Sequence, residues 1–322
     1  MTVSFFIPRQ YLPDVGRREA WKSGSVLAAS GKEATAQAWI FQTAMELEAG
    51  WPEVRLVTEL PTSGIVVALA GNLPPTLPAR PGRFLIDVVA DGSPHPSAQK
   101  HICQNPLQAR KLPGSVFLPH WPQPGLIPRD PARGDRWENV CFYGDPGNLH
   151  HDLAHPDFAR CLRKSLGMDI RLVSASGWHD FSQTDCVLAV RDPGLHPHKP
   201  ATKLYNAWLA GVPFIGGRES AYIEEGRLGV NFVCVEDFSE VLPALKNLAE
   251  NPDQRRGLVA EGSKAAKNRN QEATTLAWRR LLTKCIEAEA PRWMARSPAT
   301  CRLLSHWHSI RLRIAMATLR TS

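Results

Sequence analysis

Residues 185–225 read DCVLAVRDPGLHPHKPATKLYNAWLAGVPFIGGRESAYIEE, and their order decides the fold class. Residues 186–190 are a short apolar run, the pattern of a strand buried on both faces. A loop carrying Arg191, His196, His198 and Lys199 follows. Pro200 then leads into a helix over 202–210 that Gly211 stops, and 213–216 is the next strand. Strand, loop, helix, strand is one unit of a parallel α/β sheet. A helix start offers unpaired N–H groups and partial positive charge, so it attracts an anion, and Lys199 and Lys203 add formal charge beside it. Gly216 and Gly217 end the second strand without side chains, which lets a ligand approach the backbone. Glu219 follows, where a carboxylate can bind sugar hydroxyls.

The alternation extends in both directions. On the N-terminal side, 139–143 (NVCFY) is a strand ending at Gly144. Residues 155–166 form a helix with Phe158, Leu162 and Leu166 on one stripe and Gly167 as its stop. Residues 170–174 are a strand. Beyond the opening stretch come a strand over 231–235 and helices over 238–249 and 252–267. The first 118 residues repeat the theme. A strand over 3–7 leads to a loop containing Gly and Ser that runs through Gly31. A helix over 33–48 follows, with Ala34, Ala38, Phe41 and Met45 at helical spacing and Gly50 after it. Strands are expected over 54–57, 64–69, 84–90 and 115–118. Between the halves, 119–135 holds five Pro and two Gly, which reads as a linker. The expected division is therefore 1–135, 136–285 and a tail over 286–322.

Composition agrees with two globular domains: 322 residues at roughly 150 per domain, 43% apolar and 21% charged. No apolar run reaches the ~18 residues of a membrane span, and the first residues do not read as a secretory signal. The net charge of +7 favours polyanions or phosphate-bearing ligands. The basic residues are dispersed and form no nucleic-acid module, which argues against nucleic acid as a partner. Seven scattered Cys without a CxxC pair fit a reducing cytosol, so a cytoplasmic location is expected. Ten Trp are expected mainly in the core, with one or two free to line a sugar or base pocket.

The segment KPATKLYNAWLAGVPFIGG (199–217) resembles the donor-site segment of GT-B glycosyltransferases, and FYGDPGNL (142–149) resembles the first strand and Gly loop of their C-terminal domain. TSGIVVAL (62–69) and VVADGSPHPSAQKHICQNPLQ (88–108) are similar to stretches of bacterial sugar transferases of the same kind. The resemblance implies two Rossmann-like, doubly wound α/β domains facing a cleft. It implies transfer of a sugar from a nucleotide-diphospho-sugar to the hydroxyl of a glycan, lipid-linked or protein acceptor. The donor-site residues it carries over are Gly144, Lys199, Thr202, Lys203, Gly216, Gly217 and Glu219. The Glu-x7-Glu spacing of one large retaining branch is absent, since the second position holds Arg227. Enzymes of this kind generally work without a metal; the chain has no Asp-x-Asp, and His150, His151, His196 and His198 make no tidy ligand set. No cofactor is expected beyond the donor. The acceptor base is expected after the 84–90 strand, with Asp91, His95 and His101 as candidates. A non-catalytic protein that binds a nucleotide-sugar or phospho-ligand is the alternative reading of the same residues.

The tail over 296–320, RSPATCRLLSHWHSIRLRIAMATLR, contains no acidic residue. On a helix, Leu303, Trp307, Ile310 and Ile314 form one stripe, with Arg302, His306, Arg313 and Arg320 on one side and Arg311 on the other. That pattern fits a helix lying on an anionic membrane surface and equally a helix that packs its stripe on the first domain.

Overall fold

The structure is a computed structural model and describes residues 1–13, 31–48, 50–51 and 53–320. Most of the loop expected to run through Gly31 falls on 14–30 and lies outside the described residues. Among the described residues eleven strands form two sheets, every pairing parallel. The first sheet contains β1 (Val3–Phe6), β2 (Val54–Val57), β3 (Gly64–Leu69), β4 (Arg83–Val88), β5 (Lys100–Cys103) and β6 (Ser115–Phe117), in the order β2-β1-β3-β4-β5-β6. The second contains β7 (Asn139–Tyr143), β8 (Asp169–Val173), β9 (Cys186–Ala189), β10 (Phe214–Gly216) and β11 (Val233–Cys234), in the order β11-β10-β9-β7-β8. In each sheet the order reverses beside its first strand, which opens a crevice at the carboxyl ends.

The expected helix over 33–48 exists but is not uniform. It runs as α1 (Gly31–Ala36), a π-helical turn over Gln37–Phe41, and α2 (Gln42–Glu48). Ala36, Trp39, Ile40, Ala44 and Leu47 are buried; of the expected stripe Phe41 is fully buried, Ala38 and Met45 pack half-buried against the same core, and Ala34 is half-buried. Strand β5 and helix α3 (Pro106–Lys111) occupy a region to which the sequence pattern assigns no element. Asn105 caps α3 by accepting from the Leu107 N–H at 2.9 Å, with Pro106 at the first helical position.

In the second half, α4 (His151–Ala154) and α5 (Pro156–Leu166) follow β7. Leu162 of α5 is fully buried, and Phe158 and Leu166 pack beside it as the spacing predicts. After β9 come α6 (Thr202–Ala210) and, past β10, α7 (Ser220–Glu225). Gly211 ends α6 in the left-handed region at φ 69°. The helices α8 (Val241–Glu250) and α9 (Pro252–Ala266) complete this half.

The chain then returns to the first sheet. Helix α10 (Gln271–Lys284) buries Trp278, Leu281 and Leu282 in the same core as Phe5, Trp39 and Trp121. Helix α11 (Ala290–Met294) adds Trp293, whose indole N–H donates to the Arg83 carbonyl at 3.0 Å. The return thus begins ahead of the boundary expected at 285. The final helix, α12 (Pro298–Arg320), packs Leu312 and Leu319 against Val89, Cys103 and Leu112. Five of the Trp (Trp39, Trp121, Trp208, Trp278 and Trp293) are core residues.

The Pro-rich stretch is divided between the halves. Trp121 belongs to the first core and donates its indole N–H to Thr43 Oγ1 at 2.8 Å. Ile127 already pairs with Asp180, and Arg129 and Arg133 both donate to buried Asp185. Burial by itself would raise the Asp185 carboxyl; Arg133, the Glu138 N–H and Arg129 override it and hold the pKa below the usual carboxylate value.

Candidate functional site

The carboxyl ends of the two sheets face one another, and side chains bridge them. Gln104, just past β5, donates to Asp91 Oδ1 and to the His198 carbonyl, both at 2.8 Å. Asn105 Nδ2 donates to the Lys199 carbonyl at 2.9 Å and to Ser220 Oγ at 2.8 Å. Lys199 Nζ meets Asp91 Oδ2 at 2.7 Å, and Arg110 pairs with Glu224. Ala90 (φ 48°) and His196 (φ 43°), the non-glycine residues with positive φ among those described, sit in the two facing loops. Left-handed backbone at such residues stores strain, and strain of this kind collects where a loop must aim a neighbour.

On the second side, Gly144 ends β7 and Arg191 follows β9, so the crevice at the order reversal opens between them. Helix α6 starts here with no side-chain cap, leaving the N–H groups of its first turn directed at the crevice. Lys203, in that turn, is half-buried and lies 5.2 Å from the Phe142 ring centroid. Its ammonium forms no hydrogen bond or ion pair among the described residues. Burial, and then Arg191 beside it, push its pKa down to about 8. A Cβ on Gly144 would come within 3.0 Å of the Lys203 Cε, so this glycine makes room for the lysine. Arg191 donates to Asn148 Oδ1 and, at 2.9 Å, to Glu219 Oε2. Glu219 is 2% exposed, and its other oxygen, Oε1, has no hydrogen-bond partner among the described residues; nor does the buried Thr202 hydroxyl. An uncapped helix start, an unpaired lysine and unpaired oxygens from Glu219 and Thr202 are a polar set arranged for a ligand with both acidic groups and hydroxyls.

The two glycines ending β10 have different reasons. A Cβ on Gly216 would fall 2.5 Å from the Phe214 ring and 3.1 Å from Tyr222, so packing explains this glycine without a ligand. A Cβ on Gly217 would meet Val190 at 3.7 Å, an ordinary contact.

The acceptor-side candidates separate. Asp91 is exposed at the cleft but engaged by Lys199 and Gln104. His95 is 6% exposed; its Nδ1 accepts from the Ser97 N–H at 3.2 Å, so Nε2 carries the proton and donates to the Pro74 carbonyl at 3.0 Å. No lone pair is left to take a proton from an acceptor. His101 is fully buried in β5, between Asp87 Oδ1 at 2.5 Å and His308 Nε2 of α12 at 2.7 Å. Both histidines are therefore corrected from bases to buried framework. The reason is β5: a stretch with no element assigned from sequence is an interior strand.

His120, which the spacing did not single out, stands at the cleft instead. Its Nδ1–H donates to the Trp121 carbonyl at 2.9 Å, and its ring lies edge-on to Trp39 at 5.0 Å. Nε2 has no hydrogen-bond partner among the described residues. Burial lowers its pKa, against the opposing pull of the Trp121 carbonyl and the Asp91 charge. The sequence signal was faint: a histidine two residues past an expected strand, inside the Pro-rich linker.

One group among the described residues places metal-ligating atoms close together: those of His150, His151 and Asp152 lie within 4.8 Å of one another. Asp192 Oδ1 is 3.5 Å from His150 Nε2 and 3.4 Å from His151 Nδ1. His150 Nδ1 already caps α4 by accepting the Asp152 N–H at 3.3 Å. The group thus lies next to the crevice as paired imidazoles and carboxylates.

No protein-family profile and no curated protein matches the sequence. Solved structures do match in fold. HepE of Anabaena, in complex with UDP and glucose, aligns with a TM-score of 0.53 at 12% identity over 88% of this chain and 99% of that one. Sucrose-phosphate synthase of Thermosynechococcus elongatus aligns with a TM-score of 0.55 at 10% identity over 89% and 100%. A glycosyltransferase of Rickettsia africae aligns at 0.50 and 8% over 89% and 99%. Near-complete coverage of those chains, with two parallel sheets facing a cleft, makes this a GT-B fold.

Proposed function

We propose that this protein is a glycosyltransferase that moves a sugar from a nucleoside-diphosphate donor to an acceptor hydroxyl without a metal. The observation that carries the reading is the uncapped start of α6 with the unpaired Lys203 ammonium, beside the partnerless Glu219 Oε1. In this reading the donor diphosphate sits on the first-turn N–H groups and Lys203. Glu219, steadied by Arg191 through Oε2, accepts a donor hydroxyl at Oε1. As the bond between the anomeric carbon and the diphosphate breaks, negative charge grows on the leaving oxygens, where fixed N–H dipoles and Lys203 already point. His120 Nε2, kept neutral by burial and oriented by the Trp121 carbonyl, takes the acceptor proton. Seven cysteines free of disulfides suit a reducing compartment.

Isothermal titration with a panel of nucleoside diphosphates, then donor hydrolysis and transfer assays, test the reading. Binding of a nucleoside diphosphate with donor turnover is expected; binding without hydrolysis or transfer to any acceptor would reduce the protein to a binding module. Turnover is also expected to survive EDTA, because Lys203 and α6 neutralise the diphosphate. Loss of turnover on chelation, restored by manganese or magnesium, would hand that role to an ion, with His150, His151 and Asp192 as the first ligands to substitute.

A further inference from the structure

Helix α12 has two apolar faces, and the structure covers one of them. Cys301, Leu312 and Leu319 are buried, His308 bonds to His101, and Ser305 donates to the Pro96 carbonyl at 3.2 Å. At ~100° per residue these positions share one side of the helix. Leu303, Trp307, Ile310 and Ile314 lie about half a turn away. They are 59%, 59%, 36% and 63% exposed. Packing on the first domain is therefore achieved without the stripe that an amphipathic helix ordinarily buries. The stripe is bordered by Arg302 and Arg313 on one side and Arg311 on the other, all exposed. None of the three forms an ion pair or hydrogen bond among the described residues. No acidic residue occurs between 290 and 322, so nothing on the element offsets their charge.

We infer that this face of α12 docks on an anionic lipid surface, with the stripe entering the headgroup boundary and the arginines meeting lipid phosphates. The charge selects this occupant: a protein partner or a second copy of this chain would need acidic groups opposite the arginines, and the face that would meet a second copy supplies none. Trp307 at the centre of the stripe suits the water–lipid boundary, where an indole keeps its N–H wet and its rings in hydrocarbon. No described helix is long and apolar enough to cross a membrane, so the helix lies on the surface. The inference is independent of sugar transfer, since it rests on the helix face alone.

Co-sedimentation of the full chain with phosphatidylcholine vesicles, with and without phosphatidylglycerol, tests it. The chain is expected to pellet with the anionic vesicles at low salt and to be released at high salt. Leu303→Ser/Trp307→Ser/Ile314→Ser is expected to abolish binding at an unchanged melting temperature, because these side chains are mostly exposed and belong to none of the core clusters of the described residues. Arg302→Ala, Arg311→Ala and Arg313→Ala are each expected to weaken it about five-fold, from ~1 kcal/mol per basic residue at an anionic surface. A full chain that stays in the supernatant at low salt overturns the inference. So does a triple serine variant that pellets like the parent, or a stripe-dependent dimer with no vesicle binding.

Discussion

Lys203 is a residue whose position was readable from its place in the chain. A lysine in the first turn of a helix that follows a buried strand faces the crevice of a parallel sheet, and its ammonium, over the Phe142 ring, has no hydrogen bond or ion pair among the described residues. Lys203→Ala is expected to weaken nucleoside diphosphate binding by ~1.5–3 kcal/mol, the range for a hydrogen bond to a charged group. The pKa of about 8 adds a pH signature. Binding an anion favours the charged amine, so the bound pKa lies above the free one. Affinity is then full below about 8 and falls as pH rises past it. Titrations across that range should show the fall in the parent and not in Lys203→Ala; a parallel fall in both would remove Lys203 from the site. His120 was not readable in the same way, because nothing in its neighbourhood in the chain tells a strand-end histidine from a linker residue. His120→Gln is expected to lower kcat by ~10²–10⁴-fold while leaving nucleoside diphosphate affinity unchanged. In the parent, kcat/KM should decline toward acid only below the ordinary histidine value of 6.5, since burial lowers this imidazole's pKa. Retained kcat in the variant would assign the proton to another group.

Elements were legible where their signals were local, and misjudged where tertiary pairing supplied the reason. The apolar runs of β3, β7 and β9 and the glycine stops after α5 and α6 announce themselves. Strand β5 does not: KHIC begins with two polar residues, and it becomes a strand because β4 and β6 flank it. That omission is what made His101 look free. The π turn in the α1–α2 helix is equally silent, since a widened turn leaves no mark on composition. Strand β10 shows how one dipeptide divides between packing and function. Gly216→Ala is expected to destabilise the fold by ~1–3 kcal/mol through overpacking against Phe214 and Tyr222. Gly217→Ala is expected to leave stability nearly unchanged and to reduce nucleoside diphosphate affinity, if the ligand approaches that backbone. Urea denaturation of both variants beside titration calorimetry separates the two. A stable Gly216→Ala would show that the Phe214 ring moves aside at little cost.

At the scale of the molecule, the two-half architecture was legible and the way the halves are tied together was not. Trp278 packs 5.9 Å from Phe5 and 6.4 Å from Trp39, a partnership across most of the chain that no local pattern reveals. The clasp across the cleft is likewise a product of assembly: Asn105 caps α3 through Oδ1 while its Nδ2 holds the Lys199 carbonyl and Ser220 of the other half. One side chain thus couples a local cap to the closed arrangement. Asn105→Asp separates the two roles. The new side chain keeps the oxygen that caps α3 and replaces the donor with a second acceptor, which then faces the Lys199 carbonyl. Each buried acceptor left unsatisfied costs ~1–3 kcal/mol, and the new carboxylate repels the carbonyl as well. The Gln104–His198 hydrogen bond remains, as do Asp91–Lys199 and Arg110–Glu224, but the last two are partly exposed pairs of the kind that contribute roughly 0–1 kcal/mol. The balance should tip toward an open cleft with each half still folded. Small-angle scattering is expected to give a larger radius of gyration for Asn105→Asp than for the parent, with near-parental helix content by circular dichroism. Adding nucleoside diphosphate should pull part of the population closed again, because a ligand held on α6 also favours the facing loops. An unchanged radius with unchanged stability would mean that the return of α10 to the first core, and not the clasp, sets the separation of the halves.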